Sequence, residues 1–414
     1  MTDPATTIHR YLAETADARV RFLAELVKVP SDNPPGDCRA HAERAAVLLE
    51  ELGFEVERHP VPDELVKANG MISATNLVVR KRFGAGGAVI ALNAHGDVVP
   101  PGEGWTRDPF GAEIVDGWML GRGVAVSKSD FATYAYALLA LQAAEKAGAR
   151  LQGAVELHLT YDEEAGGEIG PGWLLREGIS RPDLALSAGF SYGVVTAHNG
   201  CLHLEVQVDG RSAHAAMPWT GVDALEAATH VLSSLYRWRK VLATRRSDIE
   251  GIGSPQLTVG LIKGGINTNV VPDRVTFRLD RRMVPEEFSE AVEAELVQVI
   301  QEAAASFPEA RVTVRPILLA RPLVPLAGGQ RLTALLCHRA SEIMGEPVGA
   351  TGVPLYTDAR HYAEKGIPIV LYGAGPRTIE EANAHRADER LPLADLHKAT
   401  EVVALTLLDL LGPA

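Results

Sequence analysis

Residues 88–100 read AVIALNAHGDVVP. The stretch 88–93 is apolar almost without interruption, too short for a helix and without alternation, which predicts a strand buried on both faces. His95 and Asp97 follow two residues apart, where the chain leaves that strand. Helical patterns surround it, at 19–26 and 40–52 before it and at about 131–146 after it, and AVELHLT at 154–160 reads as a second strand. This alternation predicts an α/β fold with a mixed, largely parallel sheet sandwiched by helices. In such sheets chemistry gathers at the carboxyl ends of the strands.

From about 200 the pattern changes to strand (CLHLEVQVDG), helix (222–239), strand (PQLTVGLIKGG), strand (RVTFRLDRR), helix (285–305) and strand (ARVTVRPILL). That order is the βαββαβ, ferredoxin-like unit. Its insertion leaves the last hundred residues, with IPIVLY at 367–372 as a late buried strand, to complete the first domain. The expected organisation is therefore a discontinuous domain of 1–199 and 319–414, with an inserted domain at 200–318.

With 414 residues, 46% of them apolar and 22% charged, the chain can bury more than one core. A net charge of -13 argues against nucleic-acid and anionic-membrane partners, which require a clustered positive field, and favours a small-molecule substrate. The three cysteines, Cys38, Cys201 and Cys337, show no CxxC spacing and are expected as packing residues. Neither a basic-then-apolar leader nor a run of about 18 apolar residues is seen, so a soluble cytoplasmic protein is expected.

Three segments could carry chemistry. His95 and Asp97 fit a metal ligand whose ring is oriented by a carboxylate, and they also fit a structural pair. In TYDEEAGGEIG (160–170), Asp162, Glu163 and Glu164 stand before a glycine-rich turn. Adjacent glutamates point in different directions, so one could hold a metal while its neighbour meets a water, although a solvated acidic turn has the same composition. His385, in NAHRADE (383–389), follows the loop YGAGP. All three segments fall at strand ends of one expected sheet, supplying two imidazoles and several carboxylates.

In this order the segments resemble the metal-dependent amidohydrolase family of succinyl-diaminopimelate desuccinylase, acetylornithine deacetylase, aminoacylase and carboxypeptidase G. The likeness runs over nearly the whole chain: LVKVPSDNPPG (26–36), HGDVVP, WTRDPFGAEIVDGWMLGRG (105–123), the DEE cluster and AHRADE. In the insert, GRSAHAAMPWTGVDA (210–224), KGGINTNVVPD (263–273) and LDRR resemble the family's lid motifs. The resemblance implies metal ligation by His95, Glu164 and His385, orientation of His95 by Asp97, and Glu163 as general base. It further implies substrate contacts from His214, which would stabilise an oxyanion from within its own chain or from a second subunit, and from Asn269 and Arg282. A homodimer formed through the insert is also implied.

Two positions depart from the family pattern. In GRGVAVSKSD (121–130), Val126 stands where an aspartate would bridge two metals, and in DLALSAGFS (183–191), Gly189 stands at a second carboxylate position. Two divalent ions about 4 Å apart repel strongly and need such carboxylates. One divalent ion is therefore expected, zinc or manganese with cobalt possible, held by His95, Glu164 and His385. Asp130, one helical turn beyond Val126, is an alternative donor. The expected reaction is hydrolysis of an amide or related C–N bond in a small carboxylate-bearing molecule, an N-acyl amino acid or peptide-like compound. Hydrolysis of an unusual C–N bond, such as that of an aromatic amine, and a metal-free binding protein that has lost catalysis are the alternatives.

Overall fold

Apolar strands that offer no polar face must be covered on both sides, and the first unit does this with an eight-stranded sheet under helices. The computed structural model describes residues 3–413; Met1 and Thr2 of the N-terminal reading, and Ala414, lie outside the described residues. In spatial order the strands are Val56–Pro60, Thr75–Phe83, Gly153–Thr160, Val89–His95, Leu184–Ser187, Ile369–Leu371, Val194–His198 and Ala350–Val353. The four strands from Gly153–Thr160 to Ile369–Leu371 run parallel, and antiparallel pairings flank them.

Register decides what the carboxyl ends bring together. His95 pairs with Thr160, so the residues after Thr160 emerge beside the histidine. Asn93 pairs with Ser187, and Leu371 also pairs with Ser187, which sets 188–189 and 372–375 along the same edge. The 19-residue helix Lys128–Lys146 is buried along nearly its whole length because it lies on the strands Val89–His95 and Gly153–Thr160 beneath the outer helices Pro4–Glu14, Ala16–Val27 and Leu393–Leu411. Among the described residues, no helix is long and apolar enough to cross a membrane.

The second unit is a four-stranded antiparallel sheet, ordered Gln256–Gly264, Arg274–Met283, Gly200–Asp209, Arg311–Ala320. Period-two alternation sends Leu202, Leu204, Val206 and Val208 to one face. There they pack with Ala228, Val231 and Leu235 of helix Ala224–Leu242 and with Leu296 and Ile300 of helix Ser289–Ala304.

The units divide at 196/197 and 324/325, rather than at 199/200 and 318/319, and 352–356 belong to the second unit. The reason is backbone pairing. Ala320 pairs with Cys201, His198 and Leu323 exchange hydrogen bonds, and Asn199 and Gly352 donate to the Val353 and Glu250 carbonyls.

Gly153 begins one of the parallel strands at φ +108°, and a Cβ there would stand 2.3 Å from the Ala88 carbonyl oxygen. Backbone cannot yield as a flexible side chain can. Gly153→Ala is expected to destabilise the protein by at least about 1 kcal/mol, seen as a lower urea midpoint. An unchanged midpoint would mean that the strand start relaxes freely.

Candidate metal centre

His95 is the last residue of its strand and is 5% exposed. Its backbone N–H donates to Ser127 Oγ at 3.1 Å, and the Ser127 hydroxyl donates to the His95 carbonyl at 3.1 Å. The ring Nδ1 lies 3.0 Å from the Asp97 main-chain carbonyl and 3.5 Å from Asp97 Oδ1. A carbonyl can only accept, so Nδ1 carries the proton and Nε2 offers its lone pair. The nearer orienting group is the backbone carbonyl of Asp97, and the carboxylate expected in this role from sequence stands 3.5 Å away beside it.

The Asp97 carboxylate is fully buried and has another task. It accepts from Asn33 Nδ2 at 2.9 Å and from the backbone N–H groups of Glu163 and Glu164 at 3.2 and 3.1 Å. These bonds fix the short turn Glu163–Ala165 against the end of the histidine strand. Donor atoms of His95, Glu163 and Glu164 consequently lie within 4.8 Å of one another. His95 Nε2 is 3.9 Å from Glu163 Oε2. Asp162, the first acid of the cluster, turns away and accepts from the Ile169 N–H at 2.6 Å.

Burial pushes the Glu163 carboxyl up, assisted by the charges of Glu164, Asp97 and Asp162 and opposed by His95. Burial works against a charged His95, yet Glu163, Asp97 and Glu164 outweigh it and hold the imidazole well above its usual range. An excess of negative charge that favours a proton on His95 equally favours a cation at Nε2. One imidazole and two carboxylates, with further donors at hand, match the chemistry of a divalent zinc or manganese site.

His385 lies beside this trio without being part of it. Its Nε2 is 3.4 Å from Glu164 Oε1, a contact that raises its pKa, and its side chain is 54% exposed. The segment is set by pairing of Arg390–Pro392 with Trp118–Leu120 and by Glu389, whose buried carboxylate meets Arg122 Nη1 at 2.6 Å and accepts from the Ala125 and Val126 N–H groups.

Val126 itself packs against the small apolar cluster Ala125, Ala382 and Ala384. At Gly189 a Cβ would stand 2.8 Å from the Tyr372 backbone nitrogen, so this backbone has no room for a glutamate. Asp130, the alternative donor, is fully buried and its Oδ1 accepts from the Ala374 N–H at 2.9 Å, tying it to a loop. Two functional candidates escaped sequence reasoning. Asn33 lies within the PSDNPPG stretch, but nothing local connects it to Asp97. Asp358 is 4% exposed, neither carboxylate oxygen has a hydrogen-bond partner, and burial, then the charge of Glu163, raises its pKa.

In the second unit, His214 and Asn269 occupy two adjoining exposed loops: His214 bridges Val270, and the Ala215 N–H donates to the Asn269 carbonyl at 3.0 Å. His214 Nδ1 accepts from the Ala216 N–H at 3.1 Å. Arg282 lies on a strand, its Nε bonded to both Asp280 oxygens and its guanidinium 5.6 Å from the Tyr356 ring centroid.

A histidine and paired glutamates at the ends of parallel strands, in a chain carrying a separate α+β unit, define a metallohydrolase architecture. Residues 91–409 match the family described as peptidase family M20/M25/M40, and the chain belongs to it. It is a hydrolase acting on amide or peptide bonds. It is 28% identical over 364 residues to an acetylornithine deacetylase of Myxococcus xanthus, covering 87% of this chain and 89% of that one. It is 26% identical over 402 residues to a succinyl-diaminopimelate desuccinylase of Methylobacterium radiotolerans, covering 93% and 95%. Among solved structures, the Bacillus subtilis YXEP protein, described as a dinuclear metal-binding peptidase, superimposes with a TM-score of 0.68 at 17% identity, covering 96% and 99%.

Asp97→Ala is expected to free the Glu163 turn and to lower metal affinity about 10- to 100-fold. Competition against a chelator of known affinity measures this, and an unchanged affinity would detach Asp97 from the site.

Proposed function

We propose that the chain hydrolyses an amide or related C–N bond of a small, carboxylate-bearing N-acyl amino acid or peptide-like molecule with a single divalent ion per site, zinc or manganese. The observation carrying this reading is that His95, Glu163 and Glu164 converge while Val126 and Gly189 supply no carboxylate oxygen. A dinuclear pair would lack the negative charge needed to offset its mutual repulsion. Deacetylases and desuccinylases of N-acyl amino acids among the relatives support the substrate class.

His95, Glu164 and His385 would hold the ion in this reading, the half-exposed His385 ring already lying 3.4 Å from Glu164. When bound, the ion would supply Lewis-acid chemistry, lowering the pKa of a water and polarising the scissile carbonyl. Glu163 takes the proton of the attacking water and returns it to the leaving nitrogen, a role suited to a carboxylate whose pKa burial has raised. In the same proposal His214, from its own chain or from a second subunit, stabilises the developing oxyanion, and Asn269 and Arg282 contact the substrate, Arg282 matching a carboxylate in charge and shape. A homodimer assembled through this unit belongs to the same proposal.

Metal analysis of the purified enzyme is expected to give one catalytic ion bound by His95, Glu164 and His385. Two fully occupied ions at that centre, seen in crystals grown in excess zinc or manganese, would refute the mononuclear reading, and a folded protein without affinity for metal there would refute catalysis.

Glu163→Gln is expected to keep this ion but to lower kcat by at least about 100-fold. Parallel loss of metal and activity would reverse the roles of the two glutamates.

A further inference from the structure

The second unit's sheet covers one face with its helices, and the opposite face carries charged residues together with the exposed Leu261 and Ile317. On that face Cys201 and His203, two residues apart on Gly200–Asp209, point the same way. Asp280 sits directly across from His203 in the pairing with Arg274–Met283. His203 Nε2 lies 3.1 Å from Asp280 Oδ2, and Cys201 Sγ lies 3.7 Å from the same oxygen. Donor atoms of all three residues fall within 4.8 Å of one another.

Farther along the face the charges pair off as ion pairs, Glu205 with Arg278 and Arg315, and Asp209 with Arg274. A cross-strand charge ladder of that kind is ordinary sheet stabilisation. At the Cys201 end Asp280 is likewise paired with Arg282, but a buried thiol and an imidazole are in addition directed at one of its oxygens. Thiolate, imidazole and carboxylate together form a donor set for a thiophilic cation.

We propose that Cys201, His203 and Asp280 form a metal site for a thiophilic divalent cation, zinc foremost, sharing no residue with the His95 centre. Tetrahedral geometry with Zn–S near 2.3 Å and Zn–N and Zn–O near 2.0 Å requires S···O and N···O separations of about 3.5 and 3.3 Å. The observed 3.7 and 3.1 Å differ from these by only about 0.2 Å, within ordinary side-chain adjustment. Asp280 Oδ2 faces the other two donors and also accepts from Arg282 Nε at 3.2 Å, a bond the cation would displace, while Oδ1 keeps its 3.0 Å bond from the same Nε, which would orient the carboxylate. The Arg282 charge opposes the cation, and the thiolate and carboxylate together exceed it. Binding requires Cys201 to release its proton to solvent, and the half-buried His203 and Asp280 leave a fourth position for water.

Cobalt(II) is the probe, because the His95 centre contains no thiolate. Chelator-stripped enzyme titrated with cobalt(II) is expected to develop a near-ultraviolet thiolate-to-cobalt charge-transfer band. Cys201→Ser should abolish the band and reduce uptake by one ion per chain. His203→Ala, a change at a partly exposed side chain, should weaken the band's cobalt dependence at least about 10-fold with an unchanged circular dichroism spectrum. Absence of the band in the wild-type enzyme overturns the proposal, as does its persistence in Cys201→Ser, which would assign it to Cys38 or Cys337. Cobalt held by His95 and the glutamates produces no such band, so failure at one site cannot be mistaken for failure at the other.

Discussion

Asp97 organises the centre from a position without solvent. Its carboxylate accepts from Asn33, Glu163 and Glu164, and its carbonyl lies against His95 Nδ1. Four groups from three separate chain segments are thereby held to one residue. Removing it would leave buried donors unpaired, which costs more than the bonds contribute when made. This is why a turn carrying two adjacent glutamates can be held rigidly at a strand end, where like charges would otherwise drive it toward solvent.

The consequence is a concentration of charge that the protein does not neutralise with its own cations. Arg122, a fully buried guanidinium, is committed to Glu389, and that pair in turn anchors the backbone at 125 and 126. A polar clamp therefore fixes the segment where Val126 presents an apolar side chain. The charge at His95, Glu163 and Glu164 favours a cation, while the neighbouring backbone is held by a carboxylate already paired with a guanidinium.

The second unit solves a different problem. Its sheet is covered by helices on one side, and on the other face, where Leu261 and Ile317 stand exposed among charged residues, most charges are satisfied by cross-strand ion pairs. Arg282 and Asp280 belong to this pattern, yet they also stand beside Cys201 and His203, where donor chemistry shifts from charge pairing toward metal ligation.

The sequence by itself determined the layers. The apolar run before His95, the strand before Asp162 and the βαββαβ order are local patterns of burial, and burial pattern is what period and composition report. It also placed His95, Glu163 and Glu164 at strand ends, because they follow apolar runs closely, whereas His385 stands in a turn well beyond the strand Ile369–Leu371. Tertiary structure alone decided which of these groups meet. The pairing of His95 with Thr160 sets the trio, and His385 reaches only Glu164 because a strand pairing more than 260 residues apart in sequence fixes its segment. Asn33, Asp358 and Glu389 were invisible as partners, since a buried polar residue is defined by contacts remote in the chain and leaves no periodic trace. The same holds for Cys201, His203 and Asp280. The first two show their shared face by alternation, and the third joins them only through a register that no single strand encodes.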